Sequence, residues 1–584
     1  MKFSQKIVWI VILLHSIFSF SQKKEENIGS EVVNIVKAYS PTISDAFKVK
    51  ETPTIEAEET PEKEPIQYPI FSVPVASTFT PSKGKAAGLD QVEKTKLYDN
   101  YATLGIGNYA TINAELFVTK ALDRSSYVGG MFRHLSSQGG IKDLILDDKF
   151  GTTSLDATYG VKERDYSWNV DLGAKNQAVN WYGLPVKNIA FSENMVNEIS
   201  SKQSYTSINL GGKIAVKKSF FKDANVLFKH FSDKFKSSEN RFFVMPNFDF
   251  DVLQQKIKTA FILDYVGSNF EHSLSPTSTQ KYSSLITGIK PSILYQKDDL
   301  SVEMGASLFY GNYATKDKSS GSVFVYPNVK ASYKLMGDLL VAFAGADGNL
   351  DQNSYASFVD ENPFVSPTLT IAPTDTKYDI YAGLKGKITS AVAFNVKASI
   401  VNQDSKALFI SNPFDFTLAS TQGFANGNSF SVVYDNVQTV SFFAELKADF
   451  TKNISFGLNG TFSSYSVDKQ AEAWNLPSIK IGSDLGITIS EKWFAGATLF
   501  FVGERKDLVS VQSLAAVFPP LFDSVPVTLD SYFDVNAKVT YKYNNRLTGF
   551  LKGNNLGSQN YTRWANYPVQ GIQVMLGANY KFDF

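Results

Sequence analysis

The sequence contains no cysteine. Disulfides, thiolate metal sites and cysteine nucleophiles are therefore excluded together. Histidine is nearly as scarce, with four in 584 residues, and His15 lies in the apolar N-terminal stretch. The others, His134, His230 and His272, stand far apart with no i, i+4 pair around an acid. Neither a metal site nor a histidine acid–base centre is expected from them. Net charge is absent as well: 57 basic residues balance 57 acidic ones, which removes any bulk attraction to nucleic acid. No stretch carries the roughly 20 consecutive apolar residues of a transmembrane helix. Phosphate-loop and Gly-x-Ser-x-Gly patterns are missing, and Asp147-Asp148 lacks the ligand spacing of a calcium loop. Ser136 and Ser137 follow His134 so closely that they read as coincidence rather than as a nucleophile with its base. The chain reads as no enzyme, with no metal and no cofactor.

What is present begins with "MKFSQKIVWIVILLHSIFSFSQ". Lys2 and Lys6 form a positive start, Ile7 to Leu14 an apolar centre, and Ser19-Phe20-Ser21 a small-residue cleavage site. Residues 1–21 are thus expected to be a signal peptide, and 22–97 a periplasmic extension and linker, disordered in part. Within that extension, "ETPTIEAEETPEKEPI" (51–66) is too rich in Glu, Thr and Pro to form a packed core. "YPIFSVPVASTF" (68–79) could thread into or cap a lumen, but Pro69 and Pro74 argue against a central strand. An exported chain without a membrane-spanning helix can reside in a membrane only as a barrel.

Residues 98–584 alternate. Phe442, Ala444, Leu446, Ala448 and Phe450 oppose Glu445, Lys447 and Asp449. Phe533, Val535, Ala537, Val539 and Tyr541 interleave with Asp534 and Lys538, and Trp168, Val170, Leu172 and Ala174 with Asp171 and Lys175. The final segment, "GIQVMLGANYKFDF", keeps the pattern to the last residue. Period two governs the chain, as in strands with one apolar and one polar face. Short polar turns, such as "DRSS" (123–126), "KERD" (162–165), "TKN" (451–453), "SEK" (490–492) and "YNN" (543–545), separate the segments. Longer Ser-, Asn-, Gly- and Pro-rich connections (177–202, 348–375, 403–428, 506–528) alternate with them. Sorting loops by length is the mark of an outer-membrane barrel with short periplasmic turns and long extracellular loops.

Ten short turns imply twenty strands; a first strand near 98–107 and the terminal strand make about twenty-two. The first connection is expected to turn tightly on Gly105 and Gly107. The apolar parity then meets lipid, and the polar parity lines a wet lumen in which charges carry little desolvation cost. Glu115, Asp171, Lys175, Glu303, Lys397, Glu445, Lys447, Asp449, Asp534, Lys538 and Lys581 are the expected lumen wall. Its mixed signs favour neither anionic nor cationic solutes. "NWYGLP" (180–185) and "RWANYP" (563–568) offer loop aromatics to a ligand, a partner or the outer aromatic girdle.

The segment 532–584 resembles the closing three strands of TonB-dependent outer-membrane receptors. The resemblance rests on "YNN", "GFLKGNNL", "QNY" (559–561) and the aromatic ending, with Asn554, Asn555 and Leu556 matching the Asn-Asn-Leu before the last extracellular loop. Tyr580, Phe582 and the terminal Phe584 resemble the signal read by the barrel-insertion machinery. The resemblance implies transport of a solute or polymer across the outer membrane, with both termini periplasmic. It also implies a plug domain, for which residues 22–97 leave no room. Within 30–49, Glu31, Val32, Val33, Asn34, Ile35 and Val36 resemble the strand such receptors offer to TonB for β-augmentation. The alternative is a segment packing under the barrel. The competing function is a plugless structural or assembly barrel that docks other envelope proteins.

Overall fold

The computed structural model describes residues 97–252, 255–272, 280–316, 318–415, 422–512 and 522–584. The expected signal peptide, the 30–49 segment and 68–79 lie outside the described residues. The strands are β1 (Asn100–Gly107), β2 (Thr111–Ala121), β3 (Ser126–Ser137), β4 (Phe150–Lys162), β5 (Tyr166–Asn180) and β6 (Lys202–Val216). They continue with β7 (Phe221–Asp233), β8 (Ser238–Val252), β9 (Gln255–Phe270), β10 (Gln280–Lys297), β11 (Leu300–Thr315) and β12 (Ser319–Asp338). Next come β13 (Leu340–Asp351), β14 (Thr374–Thr389), β15 (Val392–Ser411), β16 (Phe430–Thr451), β17 (Ile454–Val467), β18 (Ile479–Thr488) and β19 (Trp493–Val502). The last are β20 (Arg505–Gln512), β21 (Phe522–Leu529), β22 (Tyr532–Lys542), β23 (Leu547–Asn554), β24 (Thr562–Trp564), β25 (Tyr567–Pro568) and β26 (Gln573–Phe582).

Twenty-two of these form one antiparallel sheet in which each strand pairs with the next. β20–β21 and β24–β25 are separate small hairpins inside long connections. The sheet closes where β26 pairs with β1, from Asn100↔Phe582 to Gly107↔Met575. Closure leaves no unpaired edge, the condition for placing strands in hydrocarbon. No helix among the described residues is long and apolar enough to cross a membrane. The fold is that of an outer-membrane barrel, as the alternation and the turns predict.

Among the described residues, nine short turns connect successive strands at one end of the barrel, among them 122–125, 163–165 and 543–546. The first connection differs from expectation. Gly105 and Gly107 are paired strand residues, opposite Asn113 and Thr111, and the turn is made by Asn108, Tyr109 and Ala110. Tyr109 and Ala110 take the positive φ values, 58° and 47°. The glycines serve the seam instead. A Cβ on Gly107 would stand 2.7 Å from the Val574 carbonyl, and one on Gly577, which faces Gly105, 2.5 Å from that of Leu104. Close backbone approach at closure, not turn geometry, requires Gly107 and Gly577, while a Cβ on Gly105 would meet the Met575 side chain.

Which parity faces inward is settled by contacts across the barrel. Tyr205 and Phe231, on β6 and β7, touch Tyr355 in a distant connection, and Phe270 on β9 does the same. These residues share the parity of the polar rows. The opposite parity carries the exposed apolar side chains, among them Phe442, Phe462, Leu155, Leu576 and Tyr580.

Candidate functional site

The inner wall carries polar rows, one apolar patch of its own around Ile286, Phe309 and Tyr326, and a larger apolar core where connections from the loop end fold into it. Two short helices lie in those connections: α1 (Glu193–Glu198) and α2 (Tyr355–Glu361). α2 starts on a capping box, Ser354 Oγ accepting from the Ser357 N–H while the Ser357 hydroxyl accepts from the Ser354 N–H. Its Tyr355, Ala356, Phe358 and Val359 are buried.

A wall carboxylate completes the helix start. Glu239 on β8 accepts from the Tyr355 N–H at 2.6 Å and the Ala356 N–H at 3.2 Å. It also accepts from the Tyr282 and Ser268 hydroxyls, each at 3.0 Å. Helix N-termini leave unsatisfied donors and a partial positive charge, so a buried anion belongs there. The Tyr355 hydroxyl donates to Asp233 at 2.8 Å, and Lys175 reaches Asp360 at 2.9 Å. Burial and the neighbouring Asp233 hold the Tyr355 phenol well above its ordinary range. It therefore serves as a neutral donor.

Other connections complete a cap. Trp181, before β6, packs on Phe424 and Phe235, and the Asn428 amide donates to the Trp181 carbonyl at 2.8 Å. Tyr567, before β26, stacks on Phe364 at 3.8 Å and donates to the Asn428 carbonyl. Trp564 packs on Phe409 and Phe430. Arg505 donates to the Thr562 carbonyl at 2.8 Å and to that of Arg563. Asp507 accepts from the Leu508, Ser411 and Ala565 N–H groups at 2.8, 3.3 and 3.4 Å. Connections β5–β6, β13–β14, β15–β16, β19–β22 and β23–β26 thus meet in one core. Removal from water pushes the Asp507 carboxyl up to about 6, despite those donors.

Below the cap the wall is hydrophilic. A cavity of about 640 Å³ is bounded by Lys258, Lys290, Glu303, Lys330, Asp347 and Asp379, with further residues from β7 to β14. Its charges are largely paired or bonded: Lys330–Asp347 at 3.6 Å, Lys290 to Asn349 at 3.0 Å, Ser292 to Glu303 at 2.6 Å.

The structure places the sequence-derived wall residues as follows. Glu115, Asp171, Lys175, Lys397, Glu445, Lys447, Asp449, Asp534, Lys538 and Lys581 all stand on the parity opposite the exposed apolar rows. They are dispersed rather than gathered. Glu445 pairs with Lys447 at 2.9 Å, Asp171 accepts from Asn169 at 2.5 Å, Asp534 accepts from Tyr561 at 3.0 Å, and Lys538 lies over the Phe550 ring. Lys175 and Asp534 reach the capping connections, through Asp360 and Tyr561 respectively. Tyr580, Phe582 and Phe584 form a ring series along β26, with Phe584 80% exposed. Glu239, Tyr355 and Asp507 were not anticipated, although the Ser354–Ser357 spacing is a helix-start signal. Glu31 to Val36 lie outside the described residues. His134 is placed within hydrogen-bonding distance of Ser136, 3.0 Å from Nε2 to Oγ. Among the described residues no group of His, Asp or Glu is arranged to hold a metal ion.

The architecture defines a closed twenty-two-strand antiparallel barrel of outer-membrane type. Particular solved structures match it. The FrpB iron transporter of Neisseria meningitidis (F3-3 variant) aligns with a TM-score of 0.63 at 12% identity, over 83% of this chain and 82% of that one. FpvA of Pseudomonas aeruginosa, bound to a heterologous pyoverdine, gives 0.60 at 11% identity, over 83% and 72%. The ferric-catecholate import receptor Fiu of E. coli K12 gives 0.59 at 10%, over 84% and 82%. Such identities speak for the fold. No family model and no curated protein matches the sequence.

Proposed function

We propose that the chain is a gated outer-membrane transport barrel that carries a hydrophilic solute or polymer through a lumen closed by its own loops. The loop end faces outward and both termini face the periplasm. The observation that carries this reading is the cap: α2 and four further connections occupy the loop end and are tied to the wall through Glu239. The mixed-sign wall below, with Lys175, Lys397, Glu445, Lys447 and their neighbours, suits hydrophilic cargo without selecting one charge. The likeness to FrpB, an iron transporter, and to Fiu, a ferric-catecholate import receptor, supports transport as the task of this architecture. Residues 31–36 are the coupling strand for a TonB-type partner, and Tyr580, Phe582 and Phe584 the insertion signal.

Planar-bilayer recording on purified barrel tests the gate. The native protein is expected to be nearly silent, and the variant with 354–361 replaced by Gly-Ser to show discrete openings. Deleting 30–49 is expected to abolish energised uptake in cells while leaving bilayer behaviour unchanged. A cap variant that is folded yet silent refutes the transport lumen. Stoichiometric co-purification of that silent barrel with envelope proteins would establish the docking barrel in its place.

A further inference from the structure

The hydrogen-bonded line Thr153–His134–Ser136 lies outside the machinery described above. His134 Nδ1 is 2.8 Å from Thr153 Oγ1, and Nε2 is 3.0 Å from Ser136 Oγ. On a strand, residues i and i+2 share a face, so the His-Leu-Ser spacing of β3 places base and hydroxyl side by side. Thr153 is the cross-strand partner of His134 on β4. All three stand on the outward parity, that of exposed Phe132 and Leu155. With Thr153 accepting from Nδ1–H, Nε2 carries the lone pair and accepts from the Ser136 hydroxyl, the arrangement that activates a serine.

The surroundings suit an acyl chain. Ser136 is flanked across the ladders by Ile112 and Gly151, and His134 by Ala114. Gly151 leaves a notch beside the hydroxyl, since a Cβ there would lie 3.6 Å from the Ser136 Cβ. One pair further along, Leu116, Phe132 and Leu155 form an exposed apolar row leading away from the hydroxyl. Ser136 is ten residues from the turn-end start of β3. At ~3.3 Å per residue and a tilt near ~40°, that is about 25 Å along the membrane normal, the level of headgroups and ester bonds.

We propose that Ser136, His134 and Thr153 form a serine acyl-hydrolase site on the lipid-facing surface, acting on ester-linked acyl chains of lipids in the loop-end leaflet. Ser136 Oγ bonds to the acyl carbonyl carbon as its proton passes to His134 Nε2. The carbon–oxygen bond to glycerol then breaks, and the leaving oxygen takes that proton, giving a lysolipid and an acyl-serine. Water adds to the acyl-serine, with His134 accepting its proton and returning it to Ser136, and a fatty acid departs. Ser136 and His134 are the catalytic residues; Thr153 positions the imidazole. No protein oxyanion donor is part of the scheme, so turnover is slow and serine acylation is the sensitive readout.

The test uses full-length barrel in mild detergent, made in a host lacking its own outer-membrane phospholipase. It is treated with a long-chain alkyl fluorophosphonate, and the adduct is mapped by mass spectrometry. Release of fatty acid from dioleoylphosphatidylcholine in mixed detergent micelles is followed in parallel. The label is expected on Ser136 and to vanish in Ser136→Ala. Labelling should slow at least about 100-fold in His134→Gln, the scale of general-base catalysis. Thr153→Val lowers the rate and Thr153→Ser restores it. Heat-modifiable migration certifies that each variant is folded. Folded native barrel unlabelled at Ser136, or labelled equally fast without His134, overturns the proposal. Neither result bears on conductance, so this site and the transport reading fail separately.

Discussion

Placing a positive charge at Leu446 tests the assignment of the two faces directly. Leu446 lies on β16, opposite Phe394 on β15 and Leu458 on β17, in an outward apolar row. It is five residues from the end of β16 at Thr451. At ~3.3 Å per residue and a tilt near ~40°, Leu446 stands about 13 Å above the turn end, the middle of a ~25 Å apolar band. Leu446→Arg should therefore cost about 2–4 kcal/mol, the range for a cation at the midplane of such barrels. Lys447, one residue on, faces inward and pairs with Glu445 at 2.9 Å, its side chain 54% exposed. An ion pair so open to solvent contributes about 0–1 kcal/mol, so Lys447→Ala should be nearly silent. The readout is folded, heat-modifiable barrel against urea concentration in outer-membrane fractions. A one-residue slip exchanges the faces of a whole strand. Equal losses, or a greater loss for Lys447→Ala, would therefore refute both the faces and the membrane placement.

Two further predictions concern closure and the cap. Gly577→Ala should strongly reduce folded barrel, because its Cβ would stand 2.5 Å from the Leu104 carbonyl at the β1–β26 seam. Gly549→Ala, with its nearest neighbour at 3.9 Å, should be tolerated, and equal folding of the two variants would contradict the seam argument. The cap should loosen as pH rises, because burial lifts Asp507 from 3.8 to about 6. The closed cap then binds the proton more tightly than the open one. Closure is strongest below about 4 and weakens through about 6, by about 3 kcal/mol in all. Quencher access to Trp564, which adjoins the Asp507-bonded Ala565, should rise between pH 5 and 7.5. Asp507→Asn should flatten that rise, and an unchanged titration in the variant would refute the assignment.

The barrel was legible because its rule is local. Period-two alternation and polar turns such as "DRSS" and "TKN" need only neighbours in sequence to be read, and closure then follows from the hydrocarbon. Gly105 and Gly107 show where local reading misleads. Glycine marks either a positive φ or a close approach, and these two serve a partner strand more than 460 residues away, at Met575 and Gly577. The turn nearby is made by Tyr109 and Ala110, whose side chains announce nothing. His134 and Ser136 were legible in principle. The same alternation that sets the faces places them on one face, so their short separation favours contact.

The cap was not legible, for a different reason. α2 spans seven residues, too few for a helix to stand alone. Its first donors are satisfied by a carboxylate 116 residues earlier in the chain, on a strand whose local pattern calls only for a wet-wall charge. Nothing in "NSYASFVDEN" specifies Glu239. The same physics explains how loops can close a barrel without holding up its wall. The strand ladders are satisfied by closure between β1 and β26, so nothing in the wall depends on a filler for its hydrogen bonds. What a filler supplies is a barrier. A barrier assembled on buried carboxylates is held by directional bonds but opposed by desolvation, as the raised Asp507 shows. These opposing terms reduce what each buried carboxylate adds to the closed cap. A ligand that bound an open arrangement more tightly would shift the equilibrium toward it by that difference in affinity and no more.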